Sequence, residues 1–146
     1  MDFSLSQEHQ SIFEMAYEFG QKQIAPNALA WEKDGTIPKE LWKQAGELGL
    51  GGIYVSEKYG GSGLNRLDAS LIFEAMAMAC PSVSSFLTIH NMCGGMIEKF
   101  GSEELKEKWL PRLCKMEMIF SYCLSEPNSG SDAAALRTKA IKTNEG

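Results

Sequence analysis

The sequence predicts a mainly α-helical fold. An N-terminal helical domain of about five helices is expected over residues 1–117, followed over residues 118–146 by the first strand and loop of an incomplete β domain. Three observations carry this reading. Apolar residues recur at helical spacing from Ile12 to Leu113. Pro26, Pro38, Gly49, Pro81 and Gly101 punctuate that pattern where helices start or stop. Near Met118 it gives way to a continuous apolar run, Met118-Ile-Phe-Ser-Tyr-Cys-Leu124, which suits a buried strand.

Ser6 before Gln7-Glu8 is a helix start, and Ile12, Met15, Ala16 and Phe19 form the first apolar stripe. Pro26 kinks or ends this helix, with Ala28 to Glu32 able to continue it. Pro38 opens a second helix with Leu41, Trp42, Ala45 and Leu48 on one face, and Gly49 and Gly51-Gly52 stop it. Ile53-Tyr-Val55 reads as a short extended piece. Glu57-Lys-Tyr-Gly-Gly-Ser-Gly63 is an interhelical loop; it lacks the lysine and hydroxyl of a phosphate-binding loop. Leu67 to Cys80 is apolar nearly all round, as in a central helix of a bundle. Val83 to Phe100 makes another helix, closed by Gly101. Ser102-Glu-Glu104 caps a last one through Lys115, with Leu105, Trp109 and Leu113 inward. A lone strand after it has no partner for its backbone groups, so the β portion reads as cut within a domain.

Composition excludes several function classes. The chain has 146 residues, 44% apolar and 23% charged, as in an ordinary globular chain. A net charge of −5 and the absence of a basic cluster argue against nucleic-acid binding. Lys99, Lys106, Lys108, Arg112 and Lys115 alternate with acids and form a solvated face. The four cysteines, Cys80, Cys93, Cys114 and Cys123, make no Cys-x-x-Cys pair and are expected as buried reduced thiols. With only His9 and His90 besides, no metal centre is predicted. No apolar run is long enough to span a membrane. Met1-Asp-Phe-Ser-Leu5 carries neither a signal nor a transit peptide, so the chain is expected either to be made without one or to have lost it.

The chemistry is expected where the apolar run breaks into Ser125-Glu-Pro-Asn-Ser-Gly-Ser-Asp132. Such a small polar segment forms a tight loop whose N–H groups and hydroxyls can face a ligand. Glu126 and Asp132 are read as turn-forming residues that accept backbone N–H bonds, not as an acid/base pair. Taken whole, Tyr122 to Asp132 resembles the flavin-contacting segment of the acyl-CoA dehydrogenases. The resemblance extends in order along the chain: Ile24-Ala-Pro26, Leu48-Gly-Leu-Gly-Gly-Ile-Tyr-Val55, Tyr59-Gly-Gly-Ser-Gly-Leu64, Phe100-Gly101 and Leu110-Pro111. Asn65-Arg-Leu-Asp68, Ile72-Phe-Glu-Ala75 and Ile89-His-Asn-Met-Cys93 are most similar to members acting on short branched acyl-CoA such as isobutyryl-CoA.

This resemblance implies an N-terminal helical domain, a middle β domain and a C-terminal helical domain. It implies FAD as cofactor and oxidation of an acyl-CoA thioester to the trans-2-enoyl form, with a glutamate base taking the α-proton and the flavin the β-hydride. That glutamate lies beyond Gly146 in the family, so no catalytic residue is assigned in this chain. Tyr122, Cys123, Leu124 and Ser125 are implied along the flavin, and Gly130 and Ser131 where the loop meets cofactor and substrate. Ser125 stands where the family usually has threonine and Asn128 where a glycine is common; both changes keep the needed chemistry. Ser85, Thr88, Ile89 and Met92, on one helical face, match acyl-pocket positions, with core packing the equally open alternative. His90 and Asn91 fall off that face and are read as satisfied structural residues.

Electron-transfer flavoprotein as acceptor, a homotetramer, and a cytoplasmic (bacterial) or mitochondrial-matrix (eukaryotic) location are likewise implied. Two alternatives remain open at this point: a non-catalytic acyl-CoA- or flavin-binding scaffold, and an acyl-CoA oxidase.

Overall fold

The structure, a computed structural model, describes residues 4–143. Six α-helices dominate it: α1 (Gln7–Phe19), α2 (Ala28–Asp34), α3 (Lys39–Glu47), α4 (Arg66–Ala79), α5 (Pro81–Phe100) and α6 (Glu103–Cys114). The mainly helical expectation holds. There is one helix more than expected because α1 runs into a π-turn at Gly20–Ile24, and the chain turns at Pro26 before α2 begins. The outer limits expected for the two domains fall outside the described residues.

Local chemistry sets the helix starts. The Ser6 hydroxyl accepts the His9 N–H at 3.1 Å. Asn65 caps α4, its side chain accepting from Leu67 and Asp68, while the Asp68 carboxylate accepts the Asn65 N–H at 3.0 Å. This reciprocal box satisfies donors that every helix start leaves orphaned. At the start of α6 the Ser102 hydroxyl accepts the Leu105 N–H at 3.3 Å.

α4 is central: α1 and the π-turn pack on one side of it and α5 on the other, with α6 against α5. The main core gathers Ala16, Phe19, Ile24, Leu41, Trp42, Ala45, Ile72, Ala75, Met76 and Leu87. A smaller cluster of Val55, Tyr59, Leu110, Leu113 and Cys114 sits between α6 and the Glu57–Tyr59 turn. Each large side chain buried in this way contributes about 1.5–3 kcal/mol. The packing thus fixes α5 as a rigid base on which later segments are laid.

Several expectations are corrected. No strand forms among the described residues. Met118–Leu124 makes no backbone–backbone hydrogen bond, and a lone bridge pairs Glu126 with Ser129. The apolar pattern is there, but no second strand among the described residues meets its N–H and C=O groups. Ile53–Val55 is a bend, not an extended piece; Ile53 is helical in φ and ψ, and Val55 N–H closes a turn on Gly52 at 3.2 Å. Leu48 is 44% exposed because α3 has ended at Glu47. Leu105 is 46% exposed because the inward stripe of α6 runs through Leu110 and Leu113, one residue out of phase. α4 is not buried all round, since Leu67 and Met78 near its two ends face outward. Of the cysteines, Cys93 and Cys114 are buried, Cys80 is half-buried and Cys123 is exposed.

Candidate functional site

Two adjacent polar residues in the middle of α5, His90 and Asn91, are fully buried. Each fastens a different piece of chain to the helix. Asn91 accepts the Ile53 N–H at 2.7 Å and donates to the carbonyls of Leu50 at 2.8 Å and Leu87 at 3.0 Å. It thereby holds the glycine-rich turn after α3. Gly51 lets that turn lie against the end of α6, where a Cβ would stand 2.3 Å from the Cys114 carbonyl oxygen.

His90 faces the other way. Its Nε2 lies 3.1 Å from the Leu113 carbonyl oxygen, and its Nδ1 accepts the Phe120 N–H at 3.2 Å. A carbonyl can only accept and an amide N–H can only donate. The partners therefore assign a neutral imidazole with its proton on Nε2. Burial holds this group below its ordinary value, outweighing the opposite pull of the Leu113 and Gly51 backbone groups. The Phe120 ring meets His90 edge-on at 6.1 Å and Trp109 of α6 at 6.4 Å.

From this point Met118–Ser125 runs extended beside α5. Burial alternates along it: Met118, Phe120 and Leu124 are half-buried, whereas Ile119, Ser121, Cys123 and Ser125 are exposed, and Tyr122 is 42% exposed. Burial raises the Cys93 thiol, and Cys123 adds to the shift.

Beyond it, the loop is closed by its own polar groups. Glu126 and Ser129 exchange backbone hydrogen bonds at 2.9 and 3.1 Å, and the buried Ser129 hydroxyl donates to the Asp132 carbonyl at 2.7 Å. The Glu126 carboxylate accepts the N–H groups of Arg137 and Thr138, at 2.8 and 2.9 Å, and the Thr138 hydroxyl, and its pKa is lowered as a result. The turn-forming role expected of Glu126 is what it performs. Asp132 contributes its carbonyl, to Ser129 and to the Ala135 N–H.

The sequence-predicted contact residues fall in two groups. Tyr122, Cys123, Ser125, Gly130 and Ser131 are exposed and Leu124 half-buried, on one continuous segment. On α5, Ser85 and Ile89 are exposed and Thr88 and Met92 half-buried. Ile89 and Met92 belong to neither hydrophobic cluster. The Thr88 hydroxyl is committed to the Ser84 carbonyl at 2.8 Å. A cleft of about 820 Å³ between α3 and residues 115–119, and another of about 470 Å³ between α2, α3 and the start of α5, include none of the four. The residues that sequence reasoning missed are Phe120 and Trp109, whose ring contacts join the segment to α5 and α6. The polar pair His90-Asn91 inside an apolar helix was the available signal.

The segment leaves polar groups without partners among the described residues. The hydroxyls of Ser125 and Ser131 make no hydrogen bond within the described residues, and the backbone from Tyr122 to Ser125 is unpaired. Around Gly130 there is open space where a Cβ would stand. Among the described residues, no group of three or more His, Cys, Asp or Glu could hold a metal ion.

The model of the acyl-CoA dehydrogenase N-terminal domain matches residues 6–117. The chain belongs to the acyl-CoA dehydrogenase family. It is 51% identical over 138 residues to isobutyryl-CoA dehydrogenase, mitochondrial, of Dictyostelium discoideum, which covers 94% of this chain and 33% of that protein. Its identity to isobutyryl-CoA dehydrogenase, mitochondrial, of Bos taurus is 44% over 141 residues, 97% of this chain and 34% of the relative. Among solved structures, butyryl-CoA dehydrogenase from Megasphaera elsdenii superposes with a TM-score of 0.86 at 34% identity, over 99% of this chain and 39% of the other. The chain thus spans about a third of the length of the curated acyl-CoA dehydrogenases it matches. No helix among the described residues is long and apolar enough to cross a membrane.

Proposed function

We propose that this chain is the N-terminal helical part of an FAD-dependent acyl-CoA dehydrogenase acting on a short branched acyl-CoA, isobutyryl-CoA in the first instance. The observation that carries the reading is the high identity, over nearly the whole chain, to two isobutyryl-CoA dehydrogenases. The largely exposed stretch from Tyr122 to Ser131, whose backbone is unpaired from Tyr122 to Ser125, supports it. In this reading residues 118–146 open the middle domain.

FAD, when bound, is the hydride acceptor. The chain's own residues bind and orient it: Tyr122, Cys123 and Leu124 through the unpaired backbone, Ser125 through its free hydroxyl, and Gly130 and Ser131 at the loop where cofactor and substrate meet. Ile89 and Met92 on the open face of α5 limit the depth available to an acyl chain, while Ser85 and Thr88 leave width for a branch. The catalytic base and the other wall of the pocket belong to sequence outside this chain. An electron-transfer flavoprotein as acceptor, a homotetramer, and a mitochondrial-matrix or cytoplasmic location complete the proposal.

The test is a series of substrates on the full-length protein. Isobutyryl-CoA should give the highest kcat/KM, followed by 2-methylbutyryl- and butyryl-CoA, with octanoyl-CoA last. Each methylene that does not fit is worth only about 1–3 kcal/mol, so the preference should be graded. A best rate with octanoyl-CoA rejects the assigned α5 face.

A further inference from the structure

We propose that neutral His90 is a positioning residue for the flavin: it sets the register of Met118–Ser125 by accepting the Phe120 N–H. This rests on the flavin role proposed above for that segment.

The argument starts from what holds the segment. Among the described residues, Met118–Ser125 has no backbone–backbone hydrogen bond. The one backbone polar contact fixing it is Phe120 N–H to His90 Nδ1 at 3.2 Å. The Phe120 ring is also caught between His90 and Trp109. One residue is therefore fastened through both backbone and side chain, two positions before Tyr122 and five before Ser125.

Register matters because side chains in an extended segment alternate. A slip of one residue moves every side chain to the opposite face. With Phe120 turned inward, Leu124 is half-buried and Cys123 and Ser125 face outward. A slip would turn the Ser125 hydroxyl inward and Leu124 outward. Among the described residues no ladder resists that slip, and the contact from His90 to Phe120 is the backbone anchor there.

His90 is suited to this task and a simpler polar residue is not. The ring must donate to the Leu113 carbonyl at the end of α6 and accept from Phe120 at once. Neutral imidazole offers one donor and one acceptor about opposite each other on a rigid ring. The flavin segment is thereby indexed to α5 and α6 together, both parts of the packed helical unit.

Three substitutions in the full-length protein separate positioning from plain stability. His90→Asn keeps an acceptor near the Nδ1 position and loses the donor to Leu113. His90→Gln keeps a donor near Nε2 and loses the acceptor for Phe120. His90→Leu loses both. All three should lower the melting temperature. The readouts are FAD titration of the apoprotein, the absorption band of the bound flavin, and hydrogen exchange at the Phe120 amide.

We expect His90→Asn to bind FAD nearly as wild type does, with the Phe120 amide still protected. His90→Gln and His90→Leu should weaken FAD binding by about tenfold, shift the flavin band and expose the Phe120 amide. If His90→Leu fails to fold, the Asn and Gln pair carries the comparison. FAD affinity that follows melting temperature across the variants, with Asn no better than Gln, overturns the inference. Normal FAD binding in every variant also overturns it, while leaving the proposed function standing. A wild-type protein that takes up no FAD removes the proposed function and this inference with it.

Discussion

The Asn91 side-chain oxygen accepts the Ile53 N–H at 2.7 Å, joining the middle of α5 to a turn 38 residues earlier in the chain. The same side chain donates to Leu50 and, beside that carbonyl's own helical bond, to Leu87, so two buried backbone groups, the Ile53 N–H and the Leu50 carbonyl, depend on it. Asn91→Leu keeps the volume and orphans both. Each buried orphan costs about 1–3 kcal/mol, so a loss of at least about 2 kcal/mol is expected in denaturant unfolding. Asn91→Asp can still accept from Ile53 but turns a carboxylate toward two carbonyls, and should recover stability on acidification. A loss under about 1 kcal/mol for Asn91→Leu contradicts this account.

His90 gives the fold a pH dependence of known sign. Its ordinary value is 6.5, and burial lowers it in the folded state. Below about 6.5 the unfolded chain gains a proton that the folded chain resists, because burial disfavours the charged imidazole. Stability is full above that value and falls as pH drops toward the lower folded one. The slope from this single group cannot exceed about 1.4 kcal/mol per pH unit. Urea unfolding of wild type and His90→Asn from about pH 8 to about pH 5 should give a steeper decline in wild type. Parallel curves argue that His90 is not held neutral.

Two glycines with the same residue type should behave oppositely. An alanine Cβ at Gly51 would stand 2.3 Å from the Cys114 carbonyl oxygen, a backbone atom that cannot move alone. Gly51→Ala should cost about 1–3 kcal/mol or more. At Gly130 nothing lies within 4 Å of the added Cβ. Gly130→Ala should leave unfolding within about 0.5 kcal/mol of wild type. In the full-length protein it should still weaken FAD binding, because a methyl group occupies the close approach of the loop. Equal melting temperatures for the two variants, or unaltered FAD affinity in Gly130→Ala, would count against these assignments.

The helices were legible because caps and apolar spacing are local. Ser6 and Ser102 sit where helices begin, and Pro26, Pro38 and Pro81 where the chain turns or restarts. The errors arose where distant partners decide. Met118–Leu124 has strand composition, but strand formation needs a second strand, which its own residues cannot announce. Leu105 and Leu48 carry apolar side chains at plausible spacing, yet phase against α5 and the end of α3 leave them exposed. Of the candidate site, the loop chemistry of Glu126 was readable from its turn context. The connection from His90 to Phe120 was not, since it depends on α6 bringing Leu113 beside the same imidazole.

Ser125→Ala offers the sharpest separation of function from fold. The Ser125 hydroxyl is exposed and makes no hydrogen bond within the described residues, so its removal should not change the melting temperature measurably. Placed beside the flavin, the same hydroxyl stabilises negative charge as hydride arrives, an effect that grows toward the transition state. Single-turnover flavin reduction in the full-length protein should therefore slow more than substrate binding weakens. The loss is about 2–4 kcal/mol if this is the main donor, and less where backbone N–H groups share the role. Ser125→Thr, which keeps the hydroxyl, should restore reduction to near the wild-type rate. A Ser125→Ala protein that reduces its flavin as fast as wild type would remove Ser125 from the site, and a Thr variant as slow as Ala would show that the hydroxyl is not what matters there.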